Sequence, residues 1–99
     1  MSSYRMSLKQ YGISDERYGE LRYVCLQYEQ YRIRKGAKAL RRMRAIDEAL
    51  DTLNPVIAEC VRKNVTLGIR FEYMPVPCGR RQFFEARREF FRALDRLVD

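Results

Sequence analysis

Residues 76–98, VPCGRRQFFEARREFFRALDRLV, decide how this chain should be read. Two prolines lead into an uninterrupted helical pattern. At about 100° per residue, Phe83, Phe84, Ala86, Phe90, Phe91, Leu94, Leu97 and Val98 fall on one side of a helix. Arg81, Gln82, Glu85, Arg88, Glu89, Arg92 and Arg96 fall on the other. Four phenylalanine rings supply a large surface to bury. Arginine and glutamine suit phosphates and base edges. A helix with aromatics behind it and arginines in front is a candidate recognition helix, entered through a turn.

Working back toward the N-terminus, the chain reads as further helices. Gly68 ends or bends a helix that begins at Asn54-Pro55, a cap followed by proline at the first helical position. Its inner side carries Ile57, Cys60, Val61 and Val65. Between Gly68 and Pro75, IRFEYM is too short for periodicity to choose between a strand and a helical turn or two. A helix from about residue 37 to 53 is marked by Ala39, Met43, Ile46, Leu50 and Leu53, a short heptad-like seam. The seam predicts an antiparallel hairpin with the helix before it. That first helix should run from Asp15, capped by Ser14, to about Lys35, with Tyr18, Leu21, Val24, Cys25, Tyr28 and Tyr31 on one stripe. Gly19 costs it roughly 1 kcal/mol against alanine, which suggests a close contact. Gly36 reads as its cap or break.

The expected architecture is all-α, with no convincing strand pair. A loosely held tail (1–13) precedes a helical hairpin (14–53), which could serve dimerisation. A helix-turn-helix-like unit (54–99) follows, and 14–99 should form one domain. No repeat or low-complexity segment is present. No apolar run nears the roughly 18 residues that span a bilayer, and the N-terminus has no apolar signal region, so the expectation is a cytoplasmic protein without a membrane partner. Cys25, Cys60 and Cys78 fit reduced thiols better than a disulfide framework.

Charge points to the partner. The chain of 99 residues has net charge +7, from 20 bases and 13 acids, and 16 of the bases are arginine. Residues 32–44, RIRKGAKALRRMR, hold seven bases and no acid, whereas residues 45–61 hold four acids and no base. Such segregation favours a polyanion, with nucleic acid ahead of an acidic membrane surface. Arg41 and Arg42 are then phosphate contacts, or else part of a solvated face. The tyrosines of the first helix suit a core or a dimer interface better than base stacking. Catalysis is not expected. There is no histidine, no Cys-x-x-Cys pair, no glycine-rich phosphate loop and no serine elbow, and nothing calls for a cofactor, a metal or a small-molecule substrate.

Placed in a helix-turn-helix, the last helix would bring Arg80, Arg81, Gln82 and Glu85 to base edges and Arg88 and Arg92 to phosphates. The blander alternative is a surface helix laced by Arg81–Glu85, Glu85–Arg88 and Glu89–Arg92 pairs. Arg87 lies inside the apolar face, and either snorkels or pairs with Glu72. The run YGELRYVCLQY (residues 18–28), together with VPCGRRQFFEARREFFRAL, resembles short regulators of prophages and mobile elements in Gram-positive bacteria. These are the ArpU/RinA-like late-gene regulators, whose C-terminal part is similar to the promoter-binding helix-turn-helix of sigma factors. The resemblance implies residues 70–74 as the first helix of the motif and 79–92 as the recognition helix. It also implies a transcriptional role on double-stranded DNA, with RNA polymerase as a further partner. Dimeric readers of this kind bind paired half-sites, so a homodimer through the first two helices is expected. Two other readings stay open: a helical protein-interaction adaptor with an exposed phenylalanine patch, and an RNA-binding module.

Overall fold

Ser14 opens the first helix. In the computed structural model, which describes residues 8–98, its hydroxyl accepts from the Arg17 N–H at 3.1 Å. Asp15 and Glu16 occupy the first turn, where the positive end of the helix dipole favours them. α1 runs Asp15–Leu26 and α2 Tyr28–Arg34. The single helix expected to about Lys35 is thus broken at Gln27. There φ and ψ are −91° and 4°, and the N–H is shared between the Tyr23 and Val24 carbonyls, each 3.2 Å away. Packing explains the break: α1 lies mainly against α4 and α5, while α2 lies against α3. One straight helix could not serve both.

α3 spans Ala37–Asp51, α4 Pro55–Leu67 and α5 Arg80–Leu97. The left-handed residue closing α2 is Lys35 at φ 56°, one position before the expected glycine; Gly36 is extended and caps α3. The α3 seam faces inward, with Ala39, Ile46 and Leu50 buried and Met43 and Leu53 half-buried. Asn54 caps α4 as its sequence predicts, its side chain accepting from the Val56 N–H at 3.0 Å ahead of Pro55. Gly68 closes α4 in the left-handed region at φ 72°, where a Cβ would be strained. Two 3-10 turns, Lys9–Tyr11 and Phe71–Tyr73, complete the described structure, and no strand occurs among the described residues. The protein is all-α.

A single core cluster draws on every helix. Phe83, Phe90, Phe91 and Leu94 of α5 are wholly buried. At roughly 1.5–3 kcal/mol each, as upper estimates, they are the strongest anchor in the molecule. Phe90 and Phe91 meet edge to face at 5.0 Å, and Tyr18 of α1 meets Phe91 the same way at 5.2 Å.

Four sequence expectations need correction. The segment 8–13 is not a loose tail: Leu8 and Ile13 are each only 2% exposed and belong to the core; residues 1–7 of that expected tail lie outside the described residues. The hairpin is formed by α2 and α3, because α1 has been drawn away to α4 and α5. The first motif helix expected over 70–74 is one 3-10 turn. It follows extended residues after Gly68 and precedes two prolines, which leaves no length for an α-helix. Finally, Gly19 makes no close approach, for a Cβ built there meets nothing within 4 Å.

Candidate nucleic-acid interface

The outward face of α5 exists because its inward face is so apolar. Phe83, Phe90 and Leu94 fix the helix rotation, and this turns Arg81, Glu85, Arg88, Arg92 and Arg96 away from the core. The Arg81 side chain is 91% exposed and reaches Glu85 at 3.3 Å. Gln82 and Glu85 are exposed beside it. Arg92 is exposed, stands over the Tyr11 ring at 5.2 Å and lies 3.9 Å from Glu89. Arg88, half-buried, and Arg96, exposed, make no hydrogen bond or ion pair with any described residue. The expected Glu85–Arg88 pair does not form, since Glu85 turns to Arg81. Gln82, Glu85, Arg88 and Glu89 line an open groove of about 490 Å³ together with Gln10, Tyr11 and Ile57. Gln10 and Tyr11 were missed by the sequence reading because their segment carries no period.

Arg80 behaves differently from its neighbours. It is half-buried, sits over the Phe71 ring at 4.9 Å and lies 3.8 Å from Glu72. Glu72 therefore has Arg80 as its partner, and Arg87 takes neither of its expected courses. Arg87 Nε donates to Asn64 Oδ1 at 2.6 Å, its Nη1 donates to the Tyr18 hydroxyl at 3.0 Å, and the guanidinium stands 5.0 Å from the Phe91 centroid. It joins α5 to α4 and α1. Asn64, so engaged, also donates from Nδ2 to the Ile69 carbonyl at 2.9 Å, which steadies the chain leaving α4.

At the other end of α5, Arg17 grips the last turn. Its Nε donates to Asp95 Oδ1 at 2.7 Å, and Nη2 donates to the carbonyls of Asp95 at 3.2 Å and Val98 at 2.6 Å. The carboxylate beside it raises the Arg17 pKa above its ordinary value, so the cation is permanent. Arg41 and Arg42 belong to this end too, since they share a small pocket with Leu97 and Val98; α5 itself is about 27 Å long at 1.5 Å per residue over 18 residues. Arg41 is exposed; Arg42 is half-buried and donates to the Tyr31 hydroxyl at 3.4 Å. The sequence-predicted residues therefore form two groups, Arg80–Arg92 along α5 and Arg41–Arg42 beyond its end.

Comparison with known families, with curated proteins and with solved structures returns no match. The geometry must therefore carry the reading. It removes the patch on which the adaptor alternative rested, because Phe90 and Phe91 are 0% exposed. It also occupies three of the four tyrosines offered for base stacking, and leaves Tyr23 of α1 61% exposed. Tyr31 is buried, Tyr18 packs on Phe91, and Tyr28 donates to Asp47 at 2.9 Å. The apolar stripes of α1 to α3, offered for dimerisation, are taken up by the protomer's own core. No described helix is long and apolar enough to cross a membrane.

Proposed function

We propose that the protein binds double-stranded DNA with the outward face of α5, in the transcriptional role that the resemblance to prophage regulators implies. One observation carries the reading: the phenylalanines of α5 are wholly buried while Arg81, Gln82, Arg92 and Arg96 stand exposed on the opposite side. A helix about 10–12 Å across fits a major groove about 12 Å wide. In addition, the first turn of α5 has no acid and Gly79 offers no side-chain cap, so its N–H groups and dipole are left for an anion.

In this arrangement Arg81 and Gln82 read base edges, and Arg88 and Arg92 hold phosphates. Glu85 orients Arg81 and accepts from a cytosine amino group. Arg80, already stacked on Phe71, braces the turn. Docking is by α5 alone, since residues 70–74 hold only a 3-10 turn in place of a first motif helix.

Fluorescence anisotropy on a selected duplex tests this. Arg81→Ala or Gln82→Ala should cost about 1–3 kcal/mol on the preferred sequence and little on random duplex. Arg88→Ala should weaken binding to both and flatten the salt slope by about one. Wild-type protein that ignores every duplex at 50 mM salt would end the proposal.

A further inference from the structure

The corner between α2 and α3 is strongly basic. Arg34, Lys35, Lys38, Arg41 and Arg44 are all exposed and make no ion pair with any described residue. Lys35 holds its place in the left-handed region, and it is the single non-glycine there among the described residues. Glycine or asparagine would sit there more comfortably. Lys38, Arg41 and Arg42 converge on a small open pocket of about 130 Å³, closed on its other side by Leu97 and Val98. Arg42 is aimed by Tyr31, which accepts its hydrogen bond and lies 6.0 Å beneath the guanidinium. Three cations line this pocket, and no acid is among its lining residues in the described structure. Gly36 gives α3 no side-chain cap, and no acid lies in its first turn, so the helix dipole adds to the same positive field.

Capping of α5 does not account for them, because Arg17 already occupies the Asp95 and Val98 carbonyls. We infer that Lys38, Arg41 and Arg42 form a second phosphate grip, which holds the DNA backbone beyond the C-terminal end of α5. The inference rests on the DNA-binding reading and extends it: the duplex is held along α5 and again beyond its C-terminal end, and the second contact is blind to sequence. Lys38 and Arg41 take the phosphate directly; Arg42, held by Tyr31, positions the charge behind them.

The double variant Lys38→Ala/Arg41→Ala, titrated with duplex over a salt series, tests it. Each lost phosphate contact removes about 0.9 from the salt slope, so two remove roughly 1.8. Raising salt from 50 to 200 mM should then weaken the variant roughly twelvefold less than it weakens wild type. Discrimination between preferred and random duplex should not change. The charge-keeping pair Lys38→Arg/Arg41→Lys should restore the slope, and thermal melts should overlay wild type because both residues are exposed. An unchanged slope in the double variant, with wild-type binding intact, overturns the second grip and leaves the α5 reading standing. Failure of wild type to bind any duplex overturns both. In a separate arm, inorganic phosphate is titrated while α3 amide signals are followed. Saturable shifts that vanish in a double variant of unaltered slope would assign the pocket to a small free phosphate, against the inference.

Discussion

Replacing glycine by alanine should stabilise this protein at one position and destabilise it at another, and the structure fixes both signs. Gly19 lies in the interior of α1, is exposed, and has open space where a Cβ would go. Gly19→Ala therefore gains the helix-propensity difference, about 0.8–1.0 kcal/mol, with no strain to subtract. Gly68 also has open space, but its φ is 72°, so Gly68→Ala forces an L-residue into the left-handed region at about 1–2 kcal/mol. For a domain of this size, 1 kcal/mol is about 4–8 °C in Tm. Gly19→Ala should melt that much higher and Gly68→Ala correspondingly lower or more. Urea titrations followed by circular dichroism should shift their midpoints in the same directions without altering m, since neither change alters the surface exposed on unfolding. A Gly19→Ala protein no more stable than wild type would mean that α1 is not helical or not solvent-facing at that position. The packing of α1 against α4 and α5 would then have to be redrawn.

Two further outcomes follow from half-buried Arg87 and buried Cys25. Arg87→Met keeps the stem but removes hydrogen bonds to Asn64 and Tyr18, and should cost about 2–4 kcal/mol at 1.5–3 kcal/mol per charged bond less the desolvation recovered. Combined with Tyr18→Phe it should fall short of additivity by at least about 0.5 kcal/mol, and strict additivity in urea melts would show that the pair is uncoupled. Cys25 is wholly buried, and burial pushes its thiol up to about 12, so the reactive thiolate is scarce at any ordinary pH. Raising pH from 7 to 9 should speed alkylation of the half-buried Cys78, although burial raises its thiol. Cys25 should label only as fast as the protein unfolds; mass spectrometry that finds Cys25 modified first would contradict its place in the core.

The sequence made the helices legible where a period or a cap existed. The α3 seam, the Asn54-Pro55 start, the Ser14 cap and the aromatic face of α5 could all be read directly. What escaped depended on contacts between distant residues. Leu8 and Ile13 have no periodic neighbours, and only packing by later helices makes them core. The break at Gln27 has no proline or glycine to announce it, since it arises from α1 and α2 having different neighbours. Arg87 looked anomalous on an apolar face because Asn64 and Tyr18 are 23 and 69 positions away. For the candidate interface, the sequence named the outward residues of α5, but it could not show that Arg80 is drawn onto Phe71 or that Arg42 leans on Tyr31. Nor could it show that Lys38 joins Arg41 and Arg42 around one pocket.

The Arg17 clasp has a consequence for how the chain reaches this shape. It ties residues 78 and 81 positions apart, and α1 leans chiefly on helices made long after it. A nascent chain that has emerged only through α3 offers α1 almost nothing to settle on. The early segments should stay pliant until α5 swings back across them, and assembly should be concerted rather than stepwise. The loop that must close is long, yet its entropic penalty grows only logarithmically with length. Time to completion, more than final stability, is what this long-distance handshake governs.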